Sequence, residues 1–341
     1  MPADTPVWIR EAEVVSLLDI GDAIEALSDG LALEARGAAH NLPKTYVSFG
    51  GHSDLHAVGA AVEGAGLVGT KTWAHTPGGA TPLLVLFDAH TGALRAVIEA
   101  FALGQLRTAA ISGVATGALA VADAAELAII GTGRQALPQA AAIVAVRPIE
   151  RVRVVGRDAG RAEAFATRVK QTLGVEATVA DSVARAVDGA PIVTCVTRAT
   201  EPVLTGAMLA GGTHVNAVGA IALDRVELDG TVLDRCDVIT TDTVDQARRL
   251  SRSLRDHLGD RDEAWKQVVP LSELLASTTT RPAAADVTVC KSMGAGISDL
   301  ALGAAVYEAV VRNQLGTPLE PPARLEPRLR AARGVPRIGY V

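Results

Sequence analysis

Apolar residues recur along this chain in two rhythms. From Val7 to Ala35 they return at helical spacing, whereas Leu42 to Val47, Gly66 to Thr72, Pro82 to Asp88 and Ala93 to Glu99 are short apolar-rich runs between turn residues, the pattern of strands. Asp88-Ala-His-Thr-Gly92 has the composition of a hairpin turn, with Gly92 suited to positive φ. A helical stretch follows from about Arg107 to Ala122. Strands and helices then alternate to about Ile239, as in a doubly wound parallel sheet. Ala276 to Ala283 reads as a loop, Val287 to Cys290 as a short strand and Ser298 to Asn313 as a helix. The Pro/Arg-rich end from Gly316 to Val341 has no period, and two alternatives stand for it, an arm around a partner subunit or a mobile tail. The pattern predicts an α/β protein in which an α+β segment precedes a doubly wound parallel-sheet domain.

The alternating region opens with the apolar run Ala125 to Ile130, which leads into Gly131-Thr-Gly-Arg-Gln-Ala136. Glycine-rich turns between a strand and a helix hold dinucleotide pyrophosphates. Gly131 suits the tight turn, Gly133 lets the backbone approach the phosphates, and Ala136 lets the helix pack closely on the sheet. The first N–H groups of that helix would face the anion. Within the loop, Arg134 either faces solvent or joins Gln135 at the phosphates. A second strand, Arg151 to Val155, follows at βαβ spacing and ends in Gly156-Arg157-Asp158. NAD-specific sites usually carry an acidic residue at this tip for the ribose 2′-hydroxyl. Here glycine and arginine stand there, and a guanidinium pairs with a 2′-phosphate, so the reading is NADPH, with NADH as the alternative. Asp158 is expected to cap a helix from Ala159 to Lys170. Arg161 either joins Arg157 at the phosphate or stays solvated.

With 341 residues, 49 % hydrophobic and 21 % charged, the chain can bury two cores. Its formal net charge of -6 provides no basic stripe for nucleic acid, since the arginines from Arg248 to Arg255 alternate with acidic residues. The sequence has neither an apolar run near the ~20 residues of a membrane span nor a leader pattern, so a cytoplasmic location is expected. Cys195, Cys236 and Cys290 have no paired spacing, which argues against a disulfide framework or a zinc site and for reduced core thiols; no metal is expected.

Several ordered islands change the picture: Leu106-Arg-Thr-Ala-Ala110, Gly131 to Ala136, Ala199-Thr-Glu-Pro-Val-Leu204, His214-Val-Asn-Ala-Val-Gly219, Glu227-Leu228, and Lys291-Ser-Met-Gly294 with Ser298-Asp299. Together they resemble the ornithine cyclodeaminase/mu-crystallin family of nicotinamide-dependent enzymes acting on amino and imino acids. The resemblance implies a discontinuous substrate-binding and dimerisation domain over residues 1–115 and 300–341, around a Rossmann domain over 116–299, and a homodimer.

It also implies that Lys71 and Arg107 bind a substrate carboxylate, a task for which a guanidinium fork with a nearby ammonium is well suited. Lys44 stands where many relatives carry a further carboxylate-binding arginine. Thr108 reaches the cofactor phosphates or caps the following helix. Thr197, Val218, Gly219, Ile221, Ser292 and Met293 are expected to border the nicotinamide. Two positions depart from the cyclodeaminase pattern. Ile221 replaces the aspartate that handles the side-chain amine there, and an alkyl group can neither take a proton nor hold an ammonium. His56 stands near a family glutamate and is either a proton donor or structural. Trp73 and His75 either shape the pocket or pack in the core. Charged neighbours are expected to depress the pKa of Lys71. The resulting expectation is reduction of the C=N bond of 2-imino acids to L-amino acids. The rivals are an alanine-dehydrogenase-like enzyme, an ornithine cyclodeaminase and an NADPH-binding protein of mu-crystallin type.

Overall fold

The computed structural model describes residues 5–277, 281–327 and 329, so the expected loop at Ala276 to Ala283 and the C-terminal arm or tail lie partly outside the described residues. Two eight-stranded sheets carry the chain. The first contains β1 (Val7–Ile9), β2 (Ala39–Phe49), β3 (Ser53–Val62), β4 (Leu67–Thr76), β5 (Gly79–Ala80), β6 (Leu83–Asp88), β7 (Leu94–Glu99) and β16 (Thr317–Pro318). Their order is β16-β1-β7-β6-β4-β3-β2, with β5 paired to β4. The second contains β8 (Glu126–Ile130), β9 (Arg151–Val155), β10 (Glu176–Val179), β11 (Ile192–Cys195), β12 (Thr213–Ala217), β13 (Cys236–Thr241), β14 (Val268–Pro270) and β15 (Val287–Lys291). Its order, β10-β9-β8-β11-β12-β15-β13-β14, is parallel throughout. The strand order reverses at β8, and ligands of such sheets bind in the crevice outside the carboxyl ends of the strands at that reversal.

The expected continuous helix from Val7 to Ala35 is three elements. Val7 and Ile9 are fully buried and pair in parallel with β7, so they form a strand. Helices α1 (Glu11–Leu17) and α2 (Ile20–Ala35) follow. Asp19 divides them, because its carboxylate accepts the Asp22 N–H at 2.9 Å while Asp22 accepts the Asp19 N–H at 3.0 Å, a reciprocal cap. Strand β3, unforeseen from sequence, is rich in small residues because a helix presses on it. A Cβ on Gly296, at the start of the last helix (Gly296–Asn313), would fall 1.7 Å from the Gly59 carbonyl oxygen. Helix α3 (Phe101–Leu119) starts at Phe101 rather than Arg107, and its first turn is held by Glu11, which accepts the N–H groups of Phe101 at 3.1 Å and Ala102 at 2.5 Å.

One core joins the first sheet to α2, α3 and the last helix through Leu27, Leu84, Ile98, Leu103, Ile111 and Leu300. The second sheet is apolar on both faces, as parallel sheets are, with Ile129 and Val152 under α4 (Ala136–Val146) and α5 (Ala159–Leu173), and Val193, Val215 and Val289 on the other face. The chain crosses from the first sheet to the second along α3 and returns between β15 and the last helix. No helix among the described residues is long and apolar enough to cross a membrane.

Candidate active site

A cavity of about 350 Å³ opens where the two sheets meet, beside the carboxyl ends of β8, β11, β12 and β15. Its wall on the second sheet comes from the loops expected to hold the cofactor. Gly131 has φ +112°, and a Cβ there would come within 2.7 Å of the Val196 carbonyl oxygen, so both the turn and the packing demand glycine. At Gly133 a Cβ would meet nothing within 4 Å, which leaves open space above the loop. No side chain caps α4 at Gln135, and the buried Gln135 Oε1 has no partner. Ala136 is fully buried where the helix meets the sheet. A bare helix N-terminus over an open glycine loop fits a pyrophosphate.

Gly133, Arg134, Gln135, Thr197, Val218, Gly219, Ile221, Ser292 and Met293 all line the cavity. Arg134 also lies 5.2 Å from the centre of the Phe101 ring. Asp158 caps α5, accepting the Arg161 N–H at 2.8 Å. Arg157 and Arg161 are exposed outside the cavity, at and just beyond the tip of β9. Thr108 lines the cavity too, but its hydroxyl donates to the Gly104 carbonyl at 2.8 Å within α3. It therefore lies inside a helix that began at Phe101, which removes the capping alternative.

The facing wall belongs to the first sheet and its helices. Lys44, Val58 and Trp73 reach it from β2, β3 and β4, Gly104 and Arg107 from α3, and Asp299 from the last helix. Lys71, 4 % exposed, makes a short hydrogen-bonded ion pair with Asp299, which is 1 % exposed. The same Asp299 oxygen lies 3.3 Å from Arg107 Nε. One carboxylate thus serves two cations and leaves a net positive charge. Arg107 donates no hydrogen bond to protein among the described residues, so its fork is open to a ligand. Gly294 allows this position, since at φ +91° a Cβ there would sit 2.9 Å from Arg107 Nη1.

Burial pushes Lys71 down to about 8, with Arg107 and Lys44 adding to the shift and Asp299 opposing it. The cationic neighbours lower it as expected, but desolvation is the larger cause. Burial, with Arg107 nearby, also lowers Lys44, whose ammonium lies 5.9 Å from the Trp73 ring centre. Lys71 does not itself line the cavity but adjoins it through Asp299 and Gly104, whereas His56 is not brought to the wall. It stacks on Trp73 at 4.8 Å, its buried Nδ1 has no partner, and burial lowers its pKa. Trp73 itself lines the cavity, whereas His75 is exposed. Asp224, the acid nearest Ile221, is paired with Arg225 at 3.1 Å.

Asp299 and Glu227 have structural partners that sequence reasoning did not assign, although both stand in the islands quoted above. Nothing local marks Asp299 as the counter-ion of Lys71, 228 residues away.

Residues 6–314 match the ornithine cyclodeaminase/mu-crystallin family. The chain belongs to this family. It is 31 % identical over 243 residues to a Delta(1)-pyrroline-2-carboxylate reductase of Bacillus cereus, covering 70 % of this chain and 74 % of that protein. The structure of Thermococcus litoralis Delta(1)-pyrroline-2-carboxylate reductase with NADH and L-proline superposes with a TM-score of 0.85 at 27 % identity, covering 92 % of this chain and all of that one. The iminosuccinate reductase of Paracoccus denitrificans with NAD+ gives 0.86 at 26 % identity, covering 93 % and 99 %. These two proteins of the same fold carry a nicotinamide dinucleotide, and the glycine loop, bare helix end and open cavity here fit such a cofactor.

Proposed function

We propose that this protein reduces the C=N bond of 2-imino acids, cyclic or open-chain, to L-amino acids with NADPH. The observation that carries this reading is the Lys71–Asp299–Arg107 cluster, a desolvated and net positive group whose Arg107 and Asp299 line the cavity opposite the loops that would border a nicotinamide, with Lys71 paired to Asp299. Arg107 takes the substrate carboxylate in its open fork, and Lys44 adds charge without bidentate geometry. Holding the carboxylate fixes the imine carbon opposite Thr197, Val218 and Gly219, and this orientation is a large part of the catalytic task. When bound, the reduced nicotinamide supplies the hydride. Lys71, with its pKa near 8, supplies the proton to the imine nitrogen in preference to His56, which stands behind Trp73 as a neutral ring.

Ile221 forms an apolar wall, and among the described residues the only carboxylate lining the cavity, Asp299, already holds two cations. A substrate with a distal ammonium finds no partner there, which disfavours ornithine cyclisation. Oxidation of NADPH and NADH should be followed with Δ1-pyrroline-2-carboxylate, Δ1-piperideine-2-carboxylate and pyruvate plus ammonia, beside L-ornithine conversion. Turnover of imino acids is expected. Turnover of pyruvate and ammonia alone would move the protein to the alanine-dehydrogenase type, and ornithine cyclisation would overturn the reading of Ile221.

The preference for NADPH rests on Arg157 and Arg161, two exposed guanidinium groups without an ion pair among the described residues, beside an Asp158 oxygen already engaged as a cap. Arg157→Ala is expected to narrow the ratio of NADPH to NADH affinity by roughly tenfold, ~1.4 kcal/mol, the size of one charge-assisted contact. Equal binding constants before and after the substitution, measured by fluorescence titration, would remove Arg157 from the site.

A homodimer completes the reading. Strand β2 is a sheet edge whose Leu42, Tyr46, Val47 and Phe49, with Leu55 of β3, are 46–58 % exposed, an apolar edge that a second copy would cover.

A further inference from the structure

Behind the wall formed by Thr197, Val218, Gly219, Ser292 and Met293 lie three interior charges, Glu227, Lys291 and Asp242, which are 1, 2 and 5 % exposed. Glu227 makes no ion pair within 4 Å among the described residues. One of its oxygens accepts the Thr197 N–H at 2.6 Å and the Thr197 hydroxyl at 2.9 Å, and the other accepts the N–H groups of Gly219 at 2.8 Å and Ala220 at 3.1 Å. These donors belong to two separate loops, one after β11 and one after β12. Asp242 acts likewise on the loop after β15, accepting the N–H groups of Met293 at 2.8 Å and Gly294 at 2.7 Å. Lys291 donates to the carbonyls of Ala217 and Ser292, each at 3.2 Å, and its charge offsets the two carboxylates.

A buried carboxylate survives only when its lone pairs are met, and here the donors meeting Glu227 are parts of the cavity wall. A carboxylate is the one side chain that offers two acceptor oxygens and no donor. A glutamine would turn an NH2 against N–H groups. The loops are drawn so close that a Cβ on Gly219 would stand 1.9 Å from the Thr197 carbonyl oxygen.

We propose that Glu227 is a positioning residue which clamps the loops after β11 and β12 into one surface and so sets the place of the nicotinamide ring, apart from the rest of the cofactor. This rests on the cavity being the dinucleotide site. The adenosine and pyrophosphate end is held by the glycine loop and the tip of β9, which Glu227 does not touch.

The test is calorimetric titration of wild type, Glu227→Gln and Glu227→Asp with two ligands. One is whichever of NADPH and NADH wild type binds more tightly, and the other is the matching ADP-ribose fragment, with or without the 2′-phosphate, which lacks nicotinamide. In Glu227→Gln the affinity for the whole cofactor is expected to fall about tenfold or more, with fragment affinity within about twofold of wild type. Glu227→Asp keeps both acceptor oxygens one methylene short and should fall between. If the glutamine variant does not fold, the same comparison on Glu227→Asp decides. Equal losses for both ligands, or no loss for either, would overturn the clamp while leaving the dinucleotide site standing. Failure of wild type to bind either ligand would overturn the site, and the clamp with it.

Discussion

Arg107→Leu is expected to lower kcat/KM for imine reduction by about a thousandfold while leaving cofactor affinity within about twofold. Two charge-assisted hydrogen bonds to a carboxylate contribute ~1.5–3 kcal/mol each, and ~4 kcal/mol of lost transition-state binding corresponds to a factor near a thousand. The guanidinium is open because its ion pair with Asp299 engages only Nε, at 3.3 Å, and because Gly294 leaves room for it. Leucine keeps the helix and much of the volume. Steady-state kinetics with a 2-imino acid, beside titration of the cofactor, separates the outcomes. Loss of cofactor affinity to the same degree would make Arg107 a structural residue.

Asp299→Asn should have the largest effect on stability. It removes the shared counter-charge from Lys71, 4 % exposed, and from Arg107, and uncompensated buried charges typically cost ~3–5 kcal/mol. Part of that cost is relieved when Lys71 releases its proton. In the wild type, burial already holds Lys71 at about 8 against an ordinary 10.5, with Asp299 opposing the fall. Between those values the unfolded chain binds more protons than the folded one. The burial penalty on Lys71 is therefore complete below about 8 and disappears as pH rises toward 10.5. Activity runs the other way, since a protonated Lys71 is the proposed donor: kcat/KM should decline as pH rises through about 8. In Asp299→Asn the declining limb should move to lower pH, because the group favouring the ammonium has gone. A thermal midpoint unchanged from wild type, or a limb that stays in place, would show that Asp299 is not the counter-ion.

The glycine loop was legible in sequence because most of its geometry is local. The positive φ of Gly131, the open space at Gly133 and the start of α4 at Ala136 fall within six residues, and Asp158 likewise caps the helix that begins one residue later. Lys71 and Arg107 stood out through family resemblance, and the structure brings them to one carboxylate. What stayed hidden is what depends on distant partners. The start of α3 is held by Glu11, some 90 residues earlier, so no capping residue near Phe101 announces it. Strand β3 has only two β-branched residues, Val58 and Val62, among Ala57, Gly59, Ala60 and Ala61, and its glycine is required by a distant neighbour, the Gly69 carbonyl oxygen of β4, which would lie 2.4 Å from a Cβ at 59. Glu227 stands in one of the islands, but its partners do not show there, since only the folded loops aim four donors at it.

The meeting of Gly59 with Gly296 bears on how this scaffold can be recombined. The helix that delivers Asp299 lies against the backbone of β3 only while position 296 is glycine, since a Cβ there would stand 1.7 Å from the Gly59 carbonyl oxygen, whereas glycine at 59 is required by β4, whose Gly69 carbonyl oxygen would lie 2.4 Å from its Cβ. A chimera that takes its C-terminal segment from another family member must therefore bring glycine at position 296, while position 59 is constrained from within the N-terminal segment itself. The fit of the last helix on β3 thus hangs on the first residue of that helix, and a transplanted segment carries the requirement with it.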